Sequence, residues 1–239
     1  MRTAVVTGAG TGIGRAVAAA LHADGHHVVV TGRRREPLEK LVADLGGNAD
    51  ALPFDAADPA AVERAATRLP AVDVLVNNAG GNTDFDRAAA TDLHGVADAW
   101  QANLDANLLS AVLVTTALHD RLRAGGAIIH IGSIAADKGA GAYGAAKAAL
   151  ASWTVDLAQR LGPEDITVNT VAPGYVAGTE FFRDKLTDKR RTVLVESAAT
   201  RRASSPEDVA TTVAFLASPG ARQITGQSVA VNGGEHTTR

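Results

Sequence analysis

Short, mainly apolar runs alternate with longer amphipathic stretches. The runs Ala4–Thr7, His27–Thr31, Ala51–Phe54, Val72–Val76, Ala127–Ile131, Ile166–Ala172 and Gln227–Val231 read as seven strands, Val72–Val76 being buried by pattern. Between them, helical spacing predicts helices over 13–23, 36–45, 59–69, from Val96 to about Arg123, from Tyr143 to Leu161, and over 206–217. Asp58-Pro59 and Ser205-Pro206, the latter with Asp208 three residues on, mark helix starts. Strands alternating with helices predict a single α/β domain over 1–239, a doubly wound parallel sheet of about seven strands with helices on both faces. Residues 81–95 show no clear period. Residues 175–202 are charged, carry Phe181 and Phe182, and are expected to form a helical insertion over the strand ends, a candidate lid.

Composition narrows the function classes. The chain has 239 residues, 46% hydrophobic and 21% charged, a net charge of −3 and no cysteine. Disulfide and thiol chemistry are excluded, and no basic run is longer than Arg33-Arg34-Arg35, so nucleic-acid binding is not favoured. No run is long enough to span a membrane, and Met1-Arg2-Thr3 leads straight into a strand without an apolar leader. The expectation is a cytoplasmic protein.

The ends of the predicted strands carry the candidate chemistry, since ligands of parallel α/β sheets bind at the carboxyl ends of strands. The first strand runs into Gly8-Ala-Gly-Thr-Gly-Ile-Gly14 and then a helix. Glycines in that setting let backbone N–H groups and the helix N-terminus approach a dinucleotide pyrophosphate, although glycines also simply make turns. The second strand ends in Thr31-Gly32-Arg33-Arg34, with no acid to bind a ribose 2′-hydroxyl. Two guanidinium groups suit a 2′-phosphate, so NADP(H) is favoured and NAD(H) stays open; the plainer reading is a solvated loop. Asp55, Asn77 to Gly80 and Ser133 lie at further strand ends. Asn107 falls among apolar helical neighbours, where an unbonded amide is costly. Tyr143 and Lys147, four residues apart, share one helix face. An ammonium about 4 Å from a phenol, at an effective dielectric of about 20, contributes roughly 4 kcal/mol. That would bring a phenol from about 10 toward neutrality. A surface helix that happens to carry one Tyr and one Lys is the bland alternative.

These residues together resemble the short-chain dehydrogenase/reductase family over almost the whole chain, in particular its 3-oxoacyl-[acyl-carrier-protein] reductases. The matching motifs are Thr7 to Gly14, Asn77-Asn-Ala-Gly80, Asn107 seven residues after Trp100, Ser133, Tyr143-Gly-Ala-Ala-Lys147, Pro173-Gly174, Ile224-Thr-Gly226 and Val231-Asn-Gly-Gly234. The resemblance implies a Rossmann-type fold and a catalytic set of Asn107, Ser133, Tyr143 and Lys147. Tyr143 would be the general acid in carbonyl reduction, and Ser133 would polarise the substrate oxygen. Lys147 would bind the nicotinamide ribose and depress the phenol, and Asn107 would hold a water joining Lys147 to solvent. Cofactor contacts would come from Gly8, Thr11, Gly12, Ile13, Gly14, Arg33, Arg34, Asp55, Asn78, Ala79, Gly80, Tyr143, Lys147, Pro173, Gly174 and Val176, with no metal. Asn78 would steady the sheet, Asp55 would contact the adenine, and Pro173-Gly174 would border the nicotinamide.

The implied activity is NADPH-dependent reduction of a 3-oxoacyl group or another small apolar ketone. An NAD-linked secondary-alcohol dehydrogenase and a non-catalytic NADP-binding sensor are the alternatives. A homo-oligomer, tetramer or dimer, is implied as well. Two features depart from the family. The link from Ser133 to Tyr143 is shorter than usual. Gly162-Pro-Glu-Asp165 stands where carrier-protein reductases are basic, although Arg121, Arg123 and Arg160 could attract an acidic carrier.

Overall fold

The computed structural model describes residues 1–237. Seven strands form one parallel sheet: β1 Thr3–Val6, β2 His27–Gly32, β3 Ala49–Pro53, β4 Val72–Asn77, β5 Leu122–Ile131, β6 Thr167–Pro173 and β7 Ser228–Val231. Their order is β3-β2-β1-β4-β5-β6-β7, so the winding reverses between β1 and β4. Such a reversal opens a crevice beyond the strand ends.

The apolar runs follow from burial on both faces. Within each central strand alternate residues divide between two cores. Val6, Val30, Val76 and Ile129 face helices α1 Gly12–Ala23, α2 Arg35–Leu45 and α9 Pro206–Ala217. Val5, Val29, Leu75 and Ile128 face α3 Pro59–Ala66, α5 Ser110–Leu118 and α7 Gly141–Leu161. The helix starts are built as their sequences indicate. Asp58 accepts from Ala60 N at 3.0 Å, and Ser205 and Asp208 form a reciprocal capping box before Pro206.

Two elements differ from their sequence patterns. The helix expected from Val96 to Arg123 is α4 Leu93–Leu104, a π-helical turn over Asp105–Leu109, then α5, which stops at Leu118. The chain turns at His119–Arg121 and enters β5 at Leu122, five residues earlier than the apolar run suggests. Gly126 permits this: a Cβ there would lie 2.7 Å from Arg123 O and 2.9 Å from Asp73 O. Residues 175–202 are mostly turns, with a 3-10 turn at Arg183–Lys185 and one helix, α8 Asp188–Ser197, that buries no residue. The excursion leaves and rejoins the body at one place, where Ala177 N donates to Ser204 O at 2.9 Å and Ser204 N to Tyr175 O at 3.0 Å. No helix among the described residues is long and apolar enough to cross a membrane.

One buried group makes the core pH-sensitive. His130 on β5 is fully enclosed, stacked against Trp153 at 5.1 Å, with its Nδ1 3.2 Å from Asn77 Nδ2 and no partner for Nε2. Burial, reinforced by the Lys147 charge, pushes its pKa down to about 3. A histidine held neutral in the fold but free to protonate when unfolded contributes stability above its unfolded value. That contribution is lost as pH falls below about 6.5, by about 1.4 kcal/mol per unit, until the folded group itself titrates. His130→Asn should therefore flatten the loss of stability between pH 6.5 and 4.5. Urea unfolding of both proteins across that range checks it; parallel slopes would exclude His130 as the source.

Candidate active site

Glycine backbone and one side-chain clamp shape the crevice between β1 and β4. Gly8 and Gly12 adopt left-handed conformations, at φ 64° and 54°. A Cβ on Gly14 would lie 2.4 Å from both Gly8 O and Asn78 Nδ2. Asn78 holds this loop: its Nδ2 donates to Thr7 O and Gly8 O, both at 2.9 Å. Thr7 Oγ1 accepts from the N–H groups of Asn78 and Ala79, both at 3.0 Å. The N-terminus of α1, after Thr11, has no side-chain cap and no acid in its first turn. Its N–H groups and dipole therefore face the crevice uncompensated, as an anion requires. The glycine cradle and this bare terminus fit a dinucleotide pyrophosphate.

At the end of β2, Ala9 N donates to Thr31 O at 3.0 Å, which brings Arg33 and Arg34 beside the glycine loop. Both are exposed. Arg34 is ion-paired to Glu180 at 2.9 Å, so one guanidinium is already engaged by an acid of the 175–202 excursion. Asp55 is also exposed, and its carboxylate accepts from Ala57 N at 3.0 Å. Ala79 and Gly80 follow the Asn78 clamp. Gly80 packs on Asn107, to which a Cβ would come within 2.6 Å.

Asn107 sits in the π-helical turn, 1% exposed, with its amide fully used. Its Oδ1 accepts from Gly81 N at 3.0 Å, and its Nδ2 donates to Gly81 O at 2.9 Å and to Asn103 O at 3.0 Å. This answers the cost of an amide in an apolar helix. The same bonds turn the side chain toward Gly81 and Asn103.

Ser133, Tyr143 and Lys147 meet at the end of β5. Lys147 is 4% exposed and donates to Ile131 O at 2.7 Å, which ties α7 to the strand. Its Nζ lies 5.9 Å from the centre of the Tyr143 ring. Tyr143 is 7% exposed. Ser133 Oγ accepts from Ala135 N at 3.1 Å. Pro173 and Gly174 close the end of β6 alongside, with Ile134 N donating to Pro173 O at 3.1 Å. Val176 is buried just beyond.

The electrostatics correct the simple Coulomb expectation. Burial pushes the Tyr143 pKa up to about 12, and the neighbouring Ser133 hydroxyl works only partly against it. Burial pushes Lys147 down to about 8. Each group loses solvation on its charged form, and that loss exceeds the attraction anticipated from their i,i+4 spacing. These shifts favour a protonated phenol and a charged ammonium at neutral pH.

An aromatic group walls the site. Phe181 packs on Tyr143 with ring centres 5.5 Å apart, and Phe181 and Phe182 meet edge to face at 4.9 Å. Phe85 touches both, each at 5.7 Å, and Tyr175 flanks Phe182 at 5.9 Å. A cleft of about 480 Å³ lies beside them, lined by Tyr175, Val176, Thr179, Phe182, Arg183 and Leu186. Phe85 and Glu180 had no signal of periodicity or motif; a lone aromatic in the polar stretch 81–95 was the only hint. Among the described residues no cluster of three or more His, Asp or Glu is placed to hold a metal.

A family model described as enoyl-(acyl carrier protein) reductase matches residues 8–236. The chain is 36% identical over 242 residues to the 3-oxoacyl-[acyl-carrier-protein] reductase FabG of Escherichia coli (strain K12), covering 98% of this chain and 96% of that protein. A short-chain dehydrogenase from Burkholderia cenocepacia J2315, solved in complex with NADP, superposes with a TM-score of 0.87 at 35% identity, over 98% of this chain and 97% of that one. A 7α-hydroxysteroid dehydrogenase complexed with NADH and a 7-oxo bile acid superposes with a TM-score of 0.89 at 29% identity, over 98% and 93%.

Proposed function

The chain belongs to the short-chain dehydrogenase/reductase family, and from that footing we propose that it is an NADPH-dependent reductase of small apolar ketones, 3-oxoacyl groups among them. Membership makes it an oxidoreductase of the CH–OH/C=O pair with a nicotinamide cofactor. The observation that carries the finer reading is the meeting, at one strand edge, of a buried phenol, a hydroxyl and a buried ammonium beneath an aromatic wall.

When bound, the reduced nicotinamide supplies a hydride to the carbonyl carbon. Ser133 donates a hydrogen bond to the substrate oxygen, where negative charge develops. Tyr143 gives that oxygen its phenolic proton, and the ketone becomes a secondary alcohol. The Lys147 ammonium stabilises the phenolate that remains, and the proton returns from solvent. Asn107 supports this centre by locking Gly81 to the π-helical turn; any water it holds for the relay uses its backbone. Gly8, Thr11, Gly12, Ile13 and Gly14 cradle the pyrophosphate, and Asp55 lies on the adenine side. Asn78, Ala79 and Gly80 form the crevice floor. Pro173, Gly174 and Val176 border the nicotinamide, with Lys147 at its ribose. Residues 175–202 serve as the lid, and Tyr175, Phe181 and Phe182 give the substrate an apolar wall.

Charge placement favours a free ketone over one delivered on an acidic carrier protein. Arg121 donates to Leu69 O at 2.7 Å, and Arg123 pairs with Asp73 at 3.4 Å, both at the amino ends of the strands. Arg160 pairs with Asp156, seventeen residues along α7 from Tyr143, roughly 25 Å away at 1.5 Å per residue. These arginines lie at the edge opposite the site. Self-association is supported by exposed apolar side chains, Leu93, Val96 and Trp100 on α4 and Val155 on α7. Light scattering should give a dimer or tetramer mass, and a monomer at micromolar concentration would refute it.

Tyr143→Phe should lower kcat at least a hundredfold while NADPH still binds; surviving turnover would remove Tyr143 as the donor. For the intact enzyme, kcat of reduction should fall as pH rises through about 8, where Lys147 loses its charge. A flat profile to pH 9.5 would exclude that role. The double variant Arg33→Ala, Arg34→Ala should weaken NADPH about tenfold or more relative to NADH, measured by fluorescence titration. Equal losses would favour the NAD-linked dehydrogenase.

A further inference from the structure

The link between Ser133 and Tyr143 holds only nine residues. It folds as one helical turn, α6 Ala135–Lys138, followed by Gly139 and Gly141 at positive φ. It lies tight against the start of α7, since a Cβ on Gly144 would come within 2.7 Å of Ala135 O. The Ser133 hydroxyl is bound to the first residue of this turn through Ala135 N. Any displacement of α6 therefore moves Ser133 Oγ relative to the phenol.

The far end of α6 is fastened to the C-terminal turn of the chain. Lys138 Nζ donates to Glu235 Oε1 at 2.7 Å, and Asp137 faces His236 Nε2 at 3.3 Å. The Glu235 side chain is only 6% exposed, against 43% for Lys138. A carboxylate so enclosed needs a charged partner, and a mere surface tie would not bury it. Its second oxygen lies against the end of β6, where a Cβ on Gly174 would be 3.1 Å from Oε2. The turn carrying Glu235 is itself fixed. Asn232 Nδ2 donates to His236 O at 2.8 Å, Gly234 N to Asn232 Oδ1 at 2.9 Å, and Gly174 N to Val231 O at 3.1 Å. Glu235 is thus wedged between the two segments that border the site, with one oxygen on each.

We propose that Glu235 is a positioning residue: through Lys138 it holds α6, and through α6 it sets where the Ser133 hydroxyl stands beside Tyr143. The inference rests on the role proposed for Ser133. It assigns the C-terminal turn a part in turnover that neither cofactor binding nor the proton donor requires.

The test compares Glu235→Gln, which keeps shape and removes charge, and Lys138→Met, each in the wild-type and the Ser133→Ala backgrounds, using a ketone reduced by the intact enzyme. Misplacing a reacting group by a fraction of an ångström supports an expected loss of roughly tenfold in kcat for each. The KM for NADPH should stay within about twofold, which also shows that the variants fold. In the Ser133→Ala background neither change should cost more, because the group being positioned is gone. The reversed pair Lys138→Glu with Glu235→Lys should recover part of the kcat lost by either reversal alone. Equal losses in both backgrounds, or none in either, would overturn the proposal. If Ser133→Ala itself leaves kcat unchanged, the role of Ser133 fails and the positioning inference falls with it, a result distinct from failure of the ion pair alone.

Discussion

A buried ammonium is costly, and the site is arranged around one. Lys147 is enclosed at the end of β5, where it donates to the carbonyl of Ile131 at 2.7 Å. Placing a charge there lowers its pKa to about 8 yet leaves it ionised at neutral pH. That bond fixes the register between α7 and β5. With it fixed, Tyr143 is carried one turn away on α7 and Ser133 two residues past Ile131, the last of the strand, and all three reach the same edge of the sheet. A cationic side chain without this anchor would swing to water, and the spacing of Tyr143 and Lys147 would mean little.

The opposite shifts of the two groups divide the chemistry. Burial pushes the Tyr143 phenol up to about 12, which favours its protonated form. In the reaction proposed, the phenolate left after transfer then needs stabilising, and the ammonium and the Ser133 hydroxyl are the polar groups beside it. The i,i+4 pairing acts on the product of proton transfer more than on the resting phenol. The Coulomb argument from sequence left out desolvation, which spacing does not contain and which here pushes the phenol up rather than down.

What else was legible follows the same division. Strand runs such as Val72–Val76 and caps such as Ser205 with Asp208 are local, and their signals survive folding. The strand-end motifs were readable because a parallel sheet delivers every strand end to one edge. The break after α5 was not, because it depends on Gly126 meeting Asp73 O on the neighbouring strand β4, far away in sequence. The use of the Asn107 amide depends on Gly81, twenty-six residues earlier in sequence. Arg34 looked free in sequence and is paired with Glu180, 146 residues away. Long-range polar partners leave no periodicity, so a motif identifies the residue without showing what it already holds.

The wall over Tyr143 joins strong packing to weak fastening. Phe181 and Phe182 stack with Phe85, and edge-to-face pairs of this kind contribute about 0.5–1.5 kcal/mol each beyond their buried area. The polar ties at the margin are Arg183 to Asp86, at 2.8 and 3.0 Å, and Arg34 to Glu180. Arg34 and Glu180 are each about 60% exposed, and exposed pairs contribute only about 0–1 kcal/mol. Phe181 lies against the Tyr143 ring, so opening the wall at that ring breaks aromatic contacts. The aromatic contacts then set the cost of opening, and an apolar substrate can replace them in kind. A polar substrate would strip the same contacts without restoring them, which is the physical argument behind the apolar ketones proposed for this site.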